Sequence, residues 1–121
     1  MNKIKIYQVD AFTGTMFKGN PAAVCPLENW LPDDILQSIA MENNLSETAF
    51  FIERNDKFLI RWFTPKVEMN LCGHATLAAA HIIFSEIDLN KKSIELHTKK
   101  NEVLKINKEN NILYMNFPSY K

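Results

Sequence analysis

The chain has 121 residues, 46% of them hydrophobic and 11% aromatic, and its 14 basic and 14 acidic residues cancel to a formal net charge of zero. That length predicts one domain over residues 1–121, able to bury roughly two-thirds of its unfolded surface, and the composition excludes a disordered chain. Zero net charge excludes a long-range field that would gather nucleic acid or anionic lipid, so neither is expected as a partner.

Charge is uneven along the chain. Residues 1–60 hold five basic and eight acidic side chains, and residues 61–121 hold nine and six. Much of the basic surplus is in Lys91, Lys92, Lys99 and Lys100, which flank expected strands and read as solvated turn charges. The two cysteines, Cys25 and Cys72, form no C-x-x-C motif and suggest no secretory disulfide framework. The opening MNKIKIYQVDAF has no long apolar core of a signal peptide, and no apolar run reaches membrane-spanning length. A reducing cytoplasm is the expected location.

In chain order, residues 3–9 alternate Ile4, Ile6 and Tyr7 against Lys3, Lys5 and Gln8, which predicts a strand with one buried face. Residues 13–21 carry Gly14 and a Gly-Asn-Pro turn, and predict a loop in which Pro21 holds Asn20 extended. Residues 22–25 predict a short buried strand ended by Pro26. Pro32, Asp33 and Asp34 mark a helix start, because proline and acids suit the first turn. Ile35, Leu36, Ile39 and Ala40 continue it at helical spacing, and Glu42-Asn43-Asn44 close it, since asparagine accepts a left-handed exit.

Residues 49–52 and 58–64 predict two strands joined in a hairpin across the polar turn 53–57. The run HATLAAAHIIF at 74–84 is apolar almost all round, so the helix it predicts is buried on nearly every face, with small side chains that let other elements approach closely. Residues 93–98, 102–106 and 112–117 alternate and predict a strand meander ended by Pro118. Strands with two segregated helices, one of them wholly apolar, predict an α+β fold in which a sheet curls around a central helix.

Three segments carry candidate chemistry. In LSETAFF, Glu47 stands at the mouth of an apolar strand; burial there would desolvate its carboxyl and raise its pKa toward the range useful for acid–base work. Taken alone, the local sequence favours a solvated strand-end glutamate, because glutamate is rarely buried. In LCGHAT, Gly73 and His74 open the apolar helix. First-turn amides lack intrahelical partners and carry the positive end of the dipole, so they suit a carboxylate or phosphate, although a glycine-assisted helix start without ligand reads as well. In FKGNPAAV, Asn20 could hydrogen-bond a polar substrate or simply fix its own turn. Cys72 and His74 have no second cysteine–histidine cluster at zinc spacing, which argues against zinc. His81 reads as a structural histidine making one hydrogen bond, His97 carries no signal, and Trp30 and Trp62 read as core or interface residues.

Five fragments in order, QVDAFT (8–13), FKGNPAAVC (17–25), ENNLSETAFF (42–51), IRWFTP (60–65) and LCGHATLAAA (71–80), resemble the PhzF-like family of phenazine-biosynthesis isomerases. The resemblance covers residues 4–85 and extends loosely to NFP at 116–118. It implies a diaminopimelate epimerase-like fold, in which each of two similar domains is a curved mixed or antiparallel sheet, barrel-like, wrapped around a central helix. It implies that Glu47 shuttles a proton, with Gly73 and His74 holding a small carboxylate-containing substrate in a cleft between the domains; Asn20, from the reading of its own loop, is the further substrate-binding candidate. It gives Cys72, which matches a catalytic cysteine of diaminopimelate epimerase, no catalytic role. No cofactor and no metal are implied.

Full-length members are about twice as long, so this chain resembles the N-terminal half. The resemblance therefore leads to two expectations. One is a cofactor-independent isomerase completed by a homodimer partner or by a complementary C-terminal half. The other is a noncatalytic binding or assembly domain.

Overall fold

The structure is a computed structural model that describes residues 4–10, 21–110 and 112–116. Eight strands form one mixed sheet: β1 (Tyr7–Asp10), β2 (Pro21–Leu27), β3 (Glu47–Arg54), β4 (Lys57–Phe63), β5 (Glu68–Met69), β6 (Ser93–His97), β7 (Val103–Glu109) and β8 (Ile112–Asn116). The order is β1-β2-β3-β4-β6-β7-β8, with the short β5 also pairing with β4. Helix α1 (Asp33–Asn43) joins β2 to β3, which run parallel; helix α2 (Gly73–Ile82) lies between β5 and β6 in sequence and continues into a π-helical turn, Ile83–Ile87.

Period-two alternation sends successive side chains of β3 to opposite faces of the sheet. Ala49 and Phe51 join Ala22, Val24, Phe58, Ile60 and Trp62 in the main core around α2, and Leu96, Leu104 and Ile106 close it from the meander. Phe50 and Phe63 point the other way, to a smaller core with Cys25, Leu36 and Ala40 under α1. Because both faces are covered, β3 reads as an unbroken apolar run rather than an alternating one. The expected α+β architecture, a curled sheet around a central apolar helix, is the one observed. Ala75, Ala79 and Ala80 are fully buried, so the alanines of α2 let the strands close in around it.

The local signals act as their chemistry requires. Pro32 caps α1, Asp33 and Asp34 occupy its first turn, and Asn44 ends it in the left-handed region at φ 51°. Asn55 and Asp56, at φ 53° and 66°, make the two-residue turn between β3 and β4. Two left-handed residues in succession match the right-handed twist of the flanking strands.

Some elements differ from the expectations. The first strand begins at Tyr7, with residues 4–6 outside it. Strand β2 runs through Pro26 to Leu27. Its β1 pairing ends at Tyr7↔Val24, so beyond that point the side of β2 away from β3 has no ladder for the missing proline N–H to break. His81 is exposed on α2, not a structural residue of the core. Its position shows that one edge of an otherwise buried helix reaches solvent. The loop expected over 13–21 falls at 13–20 outside the described residues, as does Pro118.

Candidate active site

Glu47 is the first residue of β3, and its parity with Ala49 and Phe51 aims it at the face that holds α2. Its carboxylate Oε1 contacts the ring Nε2 of His74, on the first turn of α2. The Glu47 side chain is 16% exposed and that of His74 35%, so the pair is half-sheltered and open on one side. The Sγ of Cys72 lies 3.9 Å from the same Nε2. Three residues from two elements thus place an oxygen, a nitrogen and a sulfur within 4.8 Å of one another.

Backbone geometry holds this cluster in place. Cys72 is extended, at φ −144° and ψ 106°, immediately before α2, and its carbonyl accepts hydrogen bonds from the Thr76 N–H (3.0 Å) and hydroxyl (2.6 Å). On the opposite face of β3, the Asn43 amide donates to the Thr48 hydroxyl at 3.2 Å, tying the end of α1 to the residue after Glu47. Burial pushes the Cys72 thiol above its ordinary range, and the Glu47 carboxylate adds to that shift. The backbone N–H groups of Ala75 and His74 pull the other way. A thiol shifted in that sense is mostly protonated at neutral pH.

The structure brings together three sequence candidates: Glu47, Gly73 and His74. Asn20 lies outside the described residues. Sequence reasoning treated Glu47 and His74 separately, as proton carrier and substrate holder, and missed their direct contact. The available signal was parity: Glu47 shares a face with Ala49 and Phe51, the residues that touch the helix opened by Gly73. The helix-start amides also act within the protein: those of Ala75 and His74 face the Cys72 sulfur.

A second polar cluster sits on the α1 side. Arg61 donates from Nε and Nη2 to the two carboxylate oxygens of Glu68, at 2.8 Å each, and its Nη1 lies 3.1 Å from Asp33. Its guanidinium also lies 5.5 Å from the Trp30 ring centre and 5.4 Å from that of Phe63. Lys99 reaches Glu68 at 3.3 Å. Strand β4 pairs with β6 at Phe58 and Leu59 and with β5 at Trp62 and Phe63, so Arg61 and Glu68 stitch the place where β4 changes partner.

A curled sheet closed on an apolar helix, with a carboxylate and an imidazole joined at the helix start, defines an α+β domain of the epimerase-like fold. Residues 9–121 match the phenazine biosynthesis-like (PhzC-PhzF) family, and the chain belongs to that family. It is 50% identical over 117 residues to an uncharacterised isomerase of Pseudomonas aeruginosa, covering 97% of this chain and 45% of that protein. It is 46% identical to a phenazine biosynthesis-like domain-containing protein of Bos taurus, covering 98% of this chain and 43% of the relative. The crystal structure of an Enterococcus faecalis protein of the PhzF family superposes with a TM-score of 0.85 at 44% identity, over 93% of this chain and 43% of that one. The chain therefore spans less than half the length of these relatives.

Proposed function

We propose that this chain carries one wall of a cofactor-independent isomerase site, with Glu47 moving a proton between two carbons of a small carboxylate-containing metabolite. The contact between Glu47 and His74 at the start of α2 carries this reading. Proton abstraction next to an enamine or carbonyl needs one positioned base, and the same base can return the proton at another carbon. Glu47 is the base, and His74 holds its carboxylate in one orientation through Nε2. Gly73 has no Cβ to block a substrate from the backbone at the positive end of α2.

One side of the pair is open, and the matched relatives are more than twice as long as this chain. The site is completed by a second wall, supplied by another copy of the chain or by a complementary half. The name of the Pseudomonas relative supports an isomerase reading, and phenazine precursors are one substrate class consistent with the family.

Replacing Glu47 by Gln tests the assignment, because it removes the base and keeps the shape. In the assembled form, isomerisation measured by exchange of substrate hydrogen with deuterated solvent is expected to disappear while the circular dichroism spectrum stays the same. Turnover retained by Glu47→Gln would sink the assignment. A chain with intact folding and ligand binding but no exchange in any assembly would instead be a noncatalytic binding domain.

A further inference from the structure

The cluster at the start of α2 is also a set of metal donors. Cys72 offers a sulfur that a bound metal would deprotonate, His74 an imidazole nitrogen and Glu47 a carboxylate oxygen, the three ligand types that zinc takes. A tetrahedral zinc, with a Zn–S bond of about 2.3 Å and a Zn–N bond of about 2.0 Å, holds sulfur and nitrogen about 3.5 Å apart. Cys72 Sγ and His74 Nε2 are separated by 3.9 Å, and all three donor atoms fall within 4.8 Å. Glu47 Oε1 and His74 Nε2 touch directly, so binding requires side-chain rotations that part this pair and admit the metal between them.

The donors stand on the first residue of β3, on the first turn of α2 and on the residue before it, so their backbones are fixed by sheet and helix. Hard cations such as Mg²⁺ and Ca²⁺ want six or more oxygen ligands, and this cluster has a single carboxylate with a sulfur and a nitrogen.

We propose that Glu47, Cys72 and His74 form a three-ligand site for Zn²⁺, and that Zn²⁺ bound there inhibits the proton transfer. Three protein ligands leave the fourth tetrahedral position for water or a substrate carboxylate. Inhibition follows from the lone pairs involved: the metal takes the Glu47 oxygen and the His74 nitrogen that the proton transfer uses. This second part rests on the isomerase reading; the metal site itself does not.

Sequence spacing could not show the site. A zinc search looks for clustered cysteines and histidines, and the third donor comes from 25 positions upstream of Cys72.

Cobalt is the probe, since thiolate-bound tetrahedral Co²⁺ has a sulfur-to-metal charge-transfer band and intense visible bands. Adding Co²⁺ to the purified chain is expected to produce them, and Zn²⁺ is expected to bleach them. The band is expected to vanish in Cys72→Ser. Zinc affinity, measured by competition with a chromogenic chelator, is expected to fall by more than about 10-fold in His74→Gln and in Glu47→Gln. It is expected to stay the same in His81→Gln and His97→Gln.

Absence of the charge-transfer band in the wild-type chain would overturn the proposal even if Cys72→Ser failed to fold. So would a band that survives in a folded Cys72→Ser, or zinc affinity unchanged in the Glu47 and His74 variants. A cobalt band in a chain whose Glu47→Gln variant still turns over would keep the metal site and remove the proposed reaction.

Discussion

Arg61 ties several elements together through one buried side chain. Its side chain is 10% exposed, and its guanidinium forms a two-pronged bond with Glu68, pairs with Asp33 and lies near the rings of Trp30 and Phe63. Removing one partner of a sheltered ion pair leaves the other charge uncompensated. Arg61→Ala is expected to lower stability by about 3 kcal/mol in a urea titration. Asp33→Asn is expected to change it little, because the Asp33 carboxylate is exposed and screened.

The same geometry sets an acid dependence. Arg61 holds the Glu68 carboxyl below its ordinary range, so the folded state favours the ionised form. That stability is present above the unfolded pKa and is lost as pH falls through the folded one. The acid side of the wild-type stability profile should therefore flatten in Glu68→Gln. Arg61 lies within IRWFTP, but nothing in the sequence marked it as an ion-pair centre or Asp33 and Glu68 as its partners. The former lies 28 positions upstream of Arg61 and the latter belongs to a two-residue strand, a length at which alternation carries no signal. Glu47 was legible for the opposite reason, since it sits at the boundary of a long apolar strand and within an ordered set of family motifs.

Among the elements, the β3–β4 hairpin and α2 were the clearest in sequence, because each has one strong local cause. The hairpin has two turn-tolerant residues between apolar runs, and α2 has an apolar surface with no gap for a polar stripe. The parallel pairing of β2 with β3 and the handover of β4 from β6 to β5 were not legible. Both depend on which strands meet after the chain has crossed over a helix, and a strand's own residues do not encode its neighbour. The π-helical turn at Ile83–Ile87 was hidden too, since an apolar run reads alike at α and π spacing.

The hairpin gives a sharp test. Asp56 sits at φ 66°, where a Cβ is strained and glycine is not. Asp56→Gly makes an Asn-Gly turn, the favoured pair for this geometry, and is expected to raise stability by about 0.5 kcal/mol in thermal unfolding. A loss of stability would show that the Asp56 side chain contributes more than its backbone strain removes.

At the scale of the whole molecule, the question is what covers the open side of the site. The pairings Thr48↔Phe63 and Phe63↔Glu68 put the β4–β5 turn at the same end of the sheet as Glu47. Val67 and Met69, 54% and 39% exposed, stand on that turn and strand. Apolar side chains displayed at the same end of the sheet as Glu47 suit a surface that another protein surface covers. The chain is less than half as long as its matched relatives, so in those proteins additional polypeptide is available to cover it.

If another copy of the chain supplies the second wall proposed above, light scattering and sedimentation will show a concentration-dependent dimer. Val67→Ser together with Met69→Ser should shift it toward monomer without changing the thermal unfolding of the monomer. The Glu47 side chain is only 16% exposed and contributes no apolar area, so Glu47→Gln should leave the dimer intact while abolishing the proposed turnover. A chain that stays monomeric at every concentration would exclude self-pairing and leave the complementary half as the second wall. Mixing that half with this chain should then restore exchange of substrate hydrogen, and the serine pair should weaken the restoration as it would have weakened the dimer.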